Sequence, residues 1–351
     1  MALSGVTSAR DLEARKAFYE RIARENLAPL WERMGSLVTR SPKPAAQPAR
    51  WRFTEVRPHV LAAGSLLSVD EAERRVLVLE NPGLPGQSQI TGSLYAGLQL
   101  LLPRERARAH RHAASALRLI LEGSSAYTAV NGERTAMERG DFIITPSWAW
   151  HDHGNDGAEP VIWMDGLDVP IVNLFDASFA ENYEGGDYPL SRPLHDCEFR
   201  YSGALLPENA KASTLASPLL NYRYSQARET LAVLHRNGPV DACHGVVLRY
   251  TNPMTGGPVM PTMNAAVQLI GAGCETAPYR STDGTVFVVL EGKGRTQVGE
   301  TSFDWVENDI FVVPSWMPRR HVPETETVFF SFSDRAAQQK LGIWREQRDV
   351  D

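Results

Sequence analysis

Ile144-Thr145-Pro146-Ser147-Trp148 returns as Val312-Val313-Pro314-Ser315-Trp316, and Leu121-Glu122-Gly123 returns as Leu290-Glu291-Gly292. Both echoes fall about 168 to 169 residues apart, so the chain carries two copies of one unit at a constant offset and not a solenoid of short repeats. Around each copy, short apolar or alternating runs are separated by Gly, Pro, Asn and Asp. Arg75 to Leu79, Ala116 to Leu121 and Phe142 to Thr145 are examples, and they read as strands between turns. The expected class is mainly β, with a duplicated strand-rich domain.

Outward from the repeats the pattern changes. Ser8 with Asp11 forms a capping box, and Leu12, Phe18, Tyr19 and Ile22 recur at helical spacing up to Pro29, which predicts an amphipathic N-terminal helix. Ser41 to Pro48 is rich in Pro and Ala and reads as a linker or arm. Strand signals are expected from Trp51 onward. Val172 to about Glu229 is mixed, with an acidic stretch at Asn182 to Asp187, and predicts an irregular or partly helical bridge. A second strand-like block runs from Val246 to Phe332, before a short polar helix from Ala336. The division expected is a helical arm at 1–50, a metal-binding domain at 51–185, a bridge at 186–240, a second domain without metal at 241–334 and a tail at 335–351.

Bulk properties exclude several functions. At 351 residues the chain exceeds the size at which one core usually stops growing, roughly 250 to 300 residues. A net charge of -6 without a basic stripe argues against gripping phosphate backbones, so no nucleic-acid partner is expected. Cys197, Cys243 and Cys274 are far apart, which suggests neither a disulfide framework nor a cysteine zinc site. No basic N-terminal region precedes an apolar stretch, and no apolar run reaches the roughly 18 residues of a membrane span. The expectation is a soluble, cytoplasmic protein with no membrane partner.

The residues with metal chemistry are His110, His112 and His151. His110 and His112 lie two apart, so on a strand they leave the same face, roughly 6 to 7 Å apart along the chain. His151 follows a Gly-Asp turn and an apolar run that can return a third ligand. Histidines satisfied by ordinary hydrogen bonds are the competing reading. The second copy separates the two, because at the repeat offset Tyr279, Ser281 and Arg319 stand opposite His110, His112 and His151. The scaffold folds without those imidazoles, and Met317-Pro318-Arg319-Arg320-His321 offers at most one. Metal is therefore expected only in the first half.

The stretch at 140–155, with Pro146, His151 and Asn155, resembles the second cupin motif, and His110 and His112 match the histidines of the first. More narrowly, Gly92 to Leu100, His110 to Gly123, Trp163 to Pro170 and Pro278 to Trp316 resemble gentisate 1,2-dioxygenase and its salicylate and 1-hydroxy-2-naphthoate dioxygenase relatives. The resemblance runs from Trp51 to Phe332. It implies a bicupin of two double-stranded β-helix (jelly-roll) domains, one Fe(II) per chain and a homotetramer. The Glu of the general cupin pattern is absent, since Ala113 to Leu117 follow His112 and Glu122 comes too late. Three histidines leave three positions of an octahedral ion open for a bidentate substrate and O2. Imidazole also suits Zn, Cu and Ni, so the choice of iron rests on the resemblance.

The implied reaction inserts both atoms of O2 between C1 and C2 of a 2-hydroxybenzoate. Gentisate would give maleylpyruvate; salicylate, 5-nitro- or 5-halosalicylate and 1-hydroxy-2-naphthoate are alternative substrates. A non-redox cupin isomerase or hydrolase, and a silent binding protein, compete with this reading. Arg118 lies an even number of residues from His112 and can point inward to grip a carboxylate, or can be a solvated edge residue. Arg74 matches a pocket arginine of the family, although Glu73 and Arg75 suggest a charged turn. His153, two after His151, suits proton transfer or sits in a polar loop. The resemblance assigns Asp165 an acid–base role and places Gln99 and Tyr95 at the substrate, each of which could instead be a buried barrel residue. Tyr95 is a gentisate-like feature, since a salicylate-cleaving relative carries Trp there.

Overall fold

A computed structural model of the protein describes residues 9–185, 187–203, 205–211 and 215–349. Ser8 of the expected capping box lies outside the described residues. Residues 9–43 form a separate unit containing helices Ala9–Arg24 and Leu30–Leu37. Within it, Trp31 Nε1 donates to the Tyr19 hydroxyl at 2.8 Å and that hydroxyl donates to Glu32 at 2.5 Å. The rest, from Pro44, carries both strand blocks.

The strand signals become antiparallel sheets, and the two halves match element by element. In the first half a six-stranded sheet runs, in spatial order, Asn221–Tyr222, Phe142–Thr145, Ala116–Glu122, Val161–Leu167, Tyr95–Leu101 and Val76–Val78. Facing it are Ala180–Asn182, Arg106–His112, His151–Asn155, Ala126–Val130 and Glu133–Met137. The second half repeats this, with Thr285–Glu291 central in its six-stranded sheet and Arg319–Pro323 central in its five-stranded one. Mainly antiparallel sheet in two such barrels is the fold expected from the repeat.

Burial explains why these residues form these strands. Ala116–Glu122 is buried on both faces along nearly its whole length. One face packs Leu117, Leu119 and Leu121 into a core shared with Val286, Val288 and Phe330 of the second half, and the other places Ile120 with Trp163 inside its own barrel. Each fully buried apolar side chain contributes about 1.5 to 3 kcal/mol, so the shared core holds the barrels together.

The edges of the six-stranded sheets are exchanged. Ala49–Trp51 precedes the first barrel in sequence but pairs with Ile310–Val313 of the second, whereas Asn221–Tyr222 precedes the second and pairs with Phe142–Thr145 of the first. A 14-residue helix follows each, Phe53–Leu66 and Tyr224–Asn237. The Phe53 N–H donates to Asp309 at 2.9 Å and the Tyr224 N–H to Asp141 at 3.0 Å, so a carboxylate at matching points of the two barrels satisfies each helix N-terminus. Arg57 pairs with Glu122 at 2.5 and 2.6 Å, and Arg228 with Glu291 at 2.9 Å. The repeated Leu-Glu-Gly glutamates are thus anchors for these helices.

Three expectations need correction. The strand block does not run on from Trp51, because that residue ends the short strand Ala49–Trp51 and residues 53–66 are helical. Pro58 sits inside this helix, and only Phe53 and Val60 are buried, so it lacks a clear apolar stripe. The polar helix Arg335–Lys340 does not end the chain's regular structure, since Glu346–Arg348 pairs with Tyr279–Ser281 as an edge strand. The bridge is more regular than expected: it holds strand Ala180–Asn182 and helix Asp196–Tyr201 as well as the exchanged strand and its helix. No helix among the described residues is long and apolar enough to cross a membrane.

Candidate metal centre and substrate cavity

His110 and His112 share a face of strand Arg106–His112, and His151 opens the neighbouring strand, directly opposite His110 in register. The Pro-Ser-Trp turn sets this return. Trp148 adopts φ 63° and its N–H donates to the His112 carbonyl at 2.9 Å, so the turn clamps the end of the first strand three residues before His151. Trp316 repeats the feature with φ 62° and an N–H bond of 2.6 Å to the Ser281 carbonyl. A left-handed conformation at a bulky residue costs about 1 to 3 kcal/mol, so the motif is repeated for the bend it makes.

Each of the three imidazoles offers one nitrogen, and these nitrogens lie within 4.8 Å of one another. The ring centroids are 4.4 Å apart for His110 and His151, 4.9 Å for His112 and His151, and 5.2 Å for His110 and His112. His112 Nδ1 lies 2.7 Å from the Ala114 carbonyl and His151 Nδ1 2.9 Å from the Ala149 carbonyl. A carbonyl only accepts, so both Nδ1 atoms carry the hydrogen and both Nε2 lone pairs are left for a ligand role. Burial pushes the His110 pKa down to about 2 and lowers those of His112 and His151, keeping all three neutral. Three neutral imidazoles, two of them with the tautomer set by a backbone carbonyl, are the kind of donor set a divalent transition metal needs.

The triad opens onto a cavity of about 380 Å³. Arg74, Tyr95, Gln99, Arg118, His153 and Asp165 line the same cavity as the three histidines. Arg118 is buried: Nη1 donates to Thr145 at 2.6 Å, and Nε lies 3.4 Å from Asp165 without making a hydrogen bond. The pair is an ion pair of loose geometry, so the guanidinium keeps donor capacity. Burial raises the Asp165 pKa to about 6, with Arg118 and the Trp163 indole N–H opposing the shift. Arg74 donates to the Glu73 and Arg108 carbonyls, and burial with repulsion from Arg118 lowers its pKa to about 10. Its neighbour Arg75 points elsewhere, into Gly64 and Leu67 carbonyls and Glu105.

His153 lies in a buried strand rather than a polar loop. Its Nδ1 is 2.9 Å from the Thr128 hydroxyl, which itself donates to the Met137 sulfur, so Nδ1 carries the hydrogen and Nε2 is bare. Gln99 Nε2 is buried without a partner. Burial raises the Tyr95 phenol, aided by the Asp165 charge. Among the described residues Asp165 is the one carboxylate on the cavity wall, against two guanidinium groups. Sequence reading missed Gln87, Ser88 and Gln89, which sit in a loop with no periodicity, and Val169, Pro170 and Asn173. Pro170 near the start of helix Val169–Leu174 is a helix-start signal that could have drawn attention to the last group.

Residues 97–169 match the Cupin domain family model. Gentisate 1,2 dioxygenase 1 of Aquipseudomonas alcaligenes is 50% identical over 335 residues, covering 95% of this chain and 96% of the relative. The 5-aminosalicylate 1,2-dioxygenase of a Comamonas species is 35% identical, covering 94% and 89%. The salicylate 1,2-dioxygenase of Pseudoaminobacter salicylatoxidans, in a crystal structure of its gentisate adduct, superposes with a TM-score of 0.92 at 34% identity, covering 100% of this chain and 97% of that one.

Proposed function

The chain belongs to the gentisate 1,2-dioxygenase family of ring-cleaving oxidoreductases, and from that premise we propose that it opens gentisate between C1 and C2 to maleylpyruvate, using one Fe(II) held by His110, His112 and His151. The observation that carries this reading is the convergence of three neutral imidazoles and two guanidiniums on one cavity. When bound, the iron supplies the one-electron chemistry that triplet dioxygen requires. Zinc would lack it.

The protein's own groups bind and orient the acid. Arg118 takes the substrate carboxylate through its planar fork, with Arg74 adding positive potential and Gln99 Nε2 donating a hydrogen bond. Asp165 holds the Arg118 guanidinium in place. His153, with Nε2 bare, accepts a proton from a ring hydroxyl and returns it as the ring opens. The walls of the cavity, of about 380 Å³, fix the ring, and such positioning supplies several kcal/mol of the barrier reduction, on the order of 7 to 11 in the best cases.

Tyr95, at the wall, favours a ring bearing a 5-hydroxyl, which the phenol can hydrogen-bond. The likeness to a 5-aminosalicylate dioxygenase supports a second reading in which other 5-substituted salicylates are also cleaved. We propose a cytoplasmic protein, on the sequence reading, and a homotetramer, as the family implies. Iron-loaded protein in an oxygen electrode should consume one O2 per gentisate and produce a new ultraviolet absorber. Salicylate, 5-nitrosalicylate, 5-chlorosalicylate and 1-hydroxy-2-naphthoate complete the panel. No uptake with any of the five at full iron loading would sink the proposal.

A further inference from the structure

The second barrel holds its own cavity, of about 140 Å³. At the repeat offset Tyr95, Gln99, His110, His112, Arg118 and His151 correspond to Asn264, Gln268, Tyr279, Ser281, Phe287 and Arg319, and all six of these line it. The pocket therefore occupies the place in the second barrel that the metal centre occupies in the first, with a fixed guanidinium where a metal ligand stood. We propose that this cavity binds a small aliphatic carboxylate, of acetate to pyruvate size, on Arg319.

The cavity wall carries donors without acceptors. Arg319 Nε, Gln268 Nε2 and Arg335 Nε are each buried with no hydrogen-bond partner, and all three residues line the cavity. Buried polar groups left unpaired are rare and unfavourable, charged ones most of all. The deficit is one-sided, being donors only, and two of the three belong to cations, so the matching species is an anionic acceptor. Arg319 lies over the Tyr279 ring at 4.6 Å and the Phe287 ring at 5.2 Å, and enters no ion pair among the described residues. Asp283, the one carboxylate on the wall among the described residues, accepts from Trp344 Nε1 at 2.8 Å through one oxygen; its charge acts on Arg319 without an ion-pair contact, so the two further guanidiniums of Arg249 and Arg335 leave the wall net positive.

Shape selects within the anions. A planar guanidinium matches a planar carboxylate by two parallel hydrogen bonds, and Ala265, Phe287 and Phe332 offer an apolar wall for a methyl or acyl tail. A cavity of roughly 150 Å³ is known to hold benzene, so about 140 Å³ admits acetate or pyruvate but not a hydroxybenzoate with its substituents. The first cavity offers the same unpartnered amide at Gln99, which supports a shared use of this position for carboxylates.

Calorimetric titration of acetate into the iron-loaded full chain under argon should report one site per chain, with the same affinity in the presence and absence of gentisate. Arg319→Met and Gln268→Leu should weaken binding roughly 10- to 100-fold, the loss expected from one charge-assisted hydrogen bond, with ring-cleavage kcat unchanged. Wild-type crystals soaked in acetate should show planar density on the Arg319 guanidinium, a reading that does not depend on how the variants fold. The proposal is overturned if gentisate displaces the acetate, if Arg319→Met binds as well as wild type, or if the soaked cavity holds only water or chloride.

Discussion

The two barrels are built on one plan and filled differently. Inside the first, the packed cluster around Ile120, Ile143 and Met137 contains one large aromatic, Trp163, and leaves a cavity of about 380 Å³. Inside the second, Phe287, Phe303, Trp305, Phe311 and Phe329 pack together and the cavity shrinks to about 140 Å³. Arg118 faces the first cavity where Phe287 faces the second. One copy holds an ion pair and three imidazoles around its cavity where the other packs aromatic rings. The shared core and the exchanged helices let the packed copy support the open one.

Transplanting residues between the copies is the sharpest way to break this comparison. His151→Arg, which installs the residue of the second barrel, should abolish metal binding and turnover, because a guanidinium has no lone pair to give. Metal analysis and oxygen uptake would check it; retained iron would show that His151 is not a ligand.

Arg118→Phe is the next largest change. It deletes the proposed carboxylate anchor and strands Asp165 in a buried site, so kcat/KM should fall about 10²- to 10³-fold and stability by about 3 to 5 kcal/mol. Adding Asp165→Asn to Arg118→Phe should recover part of the stability and none of the activity. Urea unfolding and steady-state kinetics separate the two effects.

Asp165 also makes a pH prediction. Its folded pKa is raised to about 6 from 3.8, chiefly by burial. The folded chain thus keeps a proton that the unfolded chain has lost, so this group's stability contribution is fully present below 3.8 and is lost as pH rises through about 6. Activity moves the opposite way, since Asp165 orients Arg118 only when ionised. An acid limb near pH 6 in kcat/KM should flatten in Asp165→Asn, and an unchanged limb would assign it to another group.

The smallest effects should be symmetric. Glu122→Gln and Glu291→Gln each loosen a partly exposed arginine pair holding an exchanged helix, and each should cost about 0.5 to 1 kcal/mol with kcat untouched. A loss of activity in one alone would tie that helix to catalysis.

Much of this was legible in the sequence because the repeat supplies its own control. Comparing His110, His112 and His151 with Tyr279, Ser281 and Arg319 singled out the three histidines whose nitrogens the structure brings within 4.8 Å of one another. Strand periodicity likewise marked Phe142–Thr145 to the residue. What failed had weak local signals. Helix 53–66 buries only Phe53 and Val60, and the exchanged strands are two and three residues long, too short for any pattern. The walls at Gln87 to Gln89 lie in a loop, and the unpartnered donors of the second cavity are a property of three-dimensional neighbours.

Iron content per chain, measured in wild type, His112→Ala and His321→Ala after identical anaerobic loading, tests the division between the barrels most directly. The account predicts one iron in wild type, none in His112→Ala and one in His321→Ala. Two irons in wild type, or iron retained by His112→Ala and lost from His321→Ala, would contradict it.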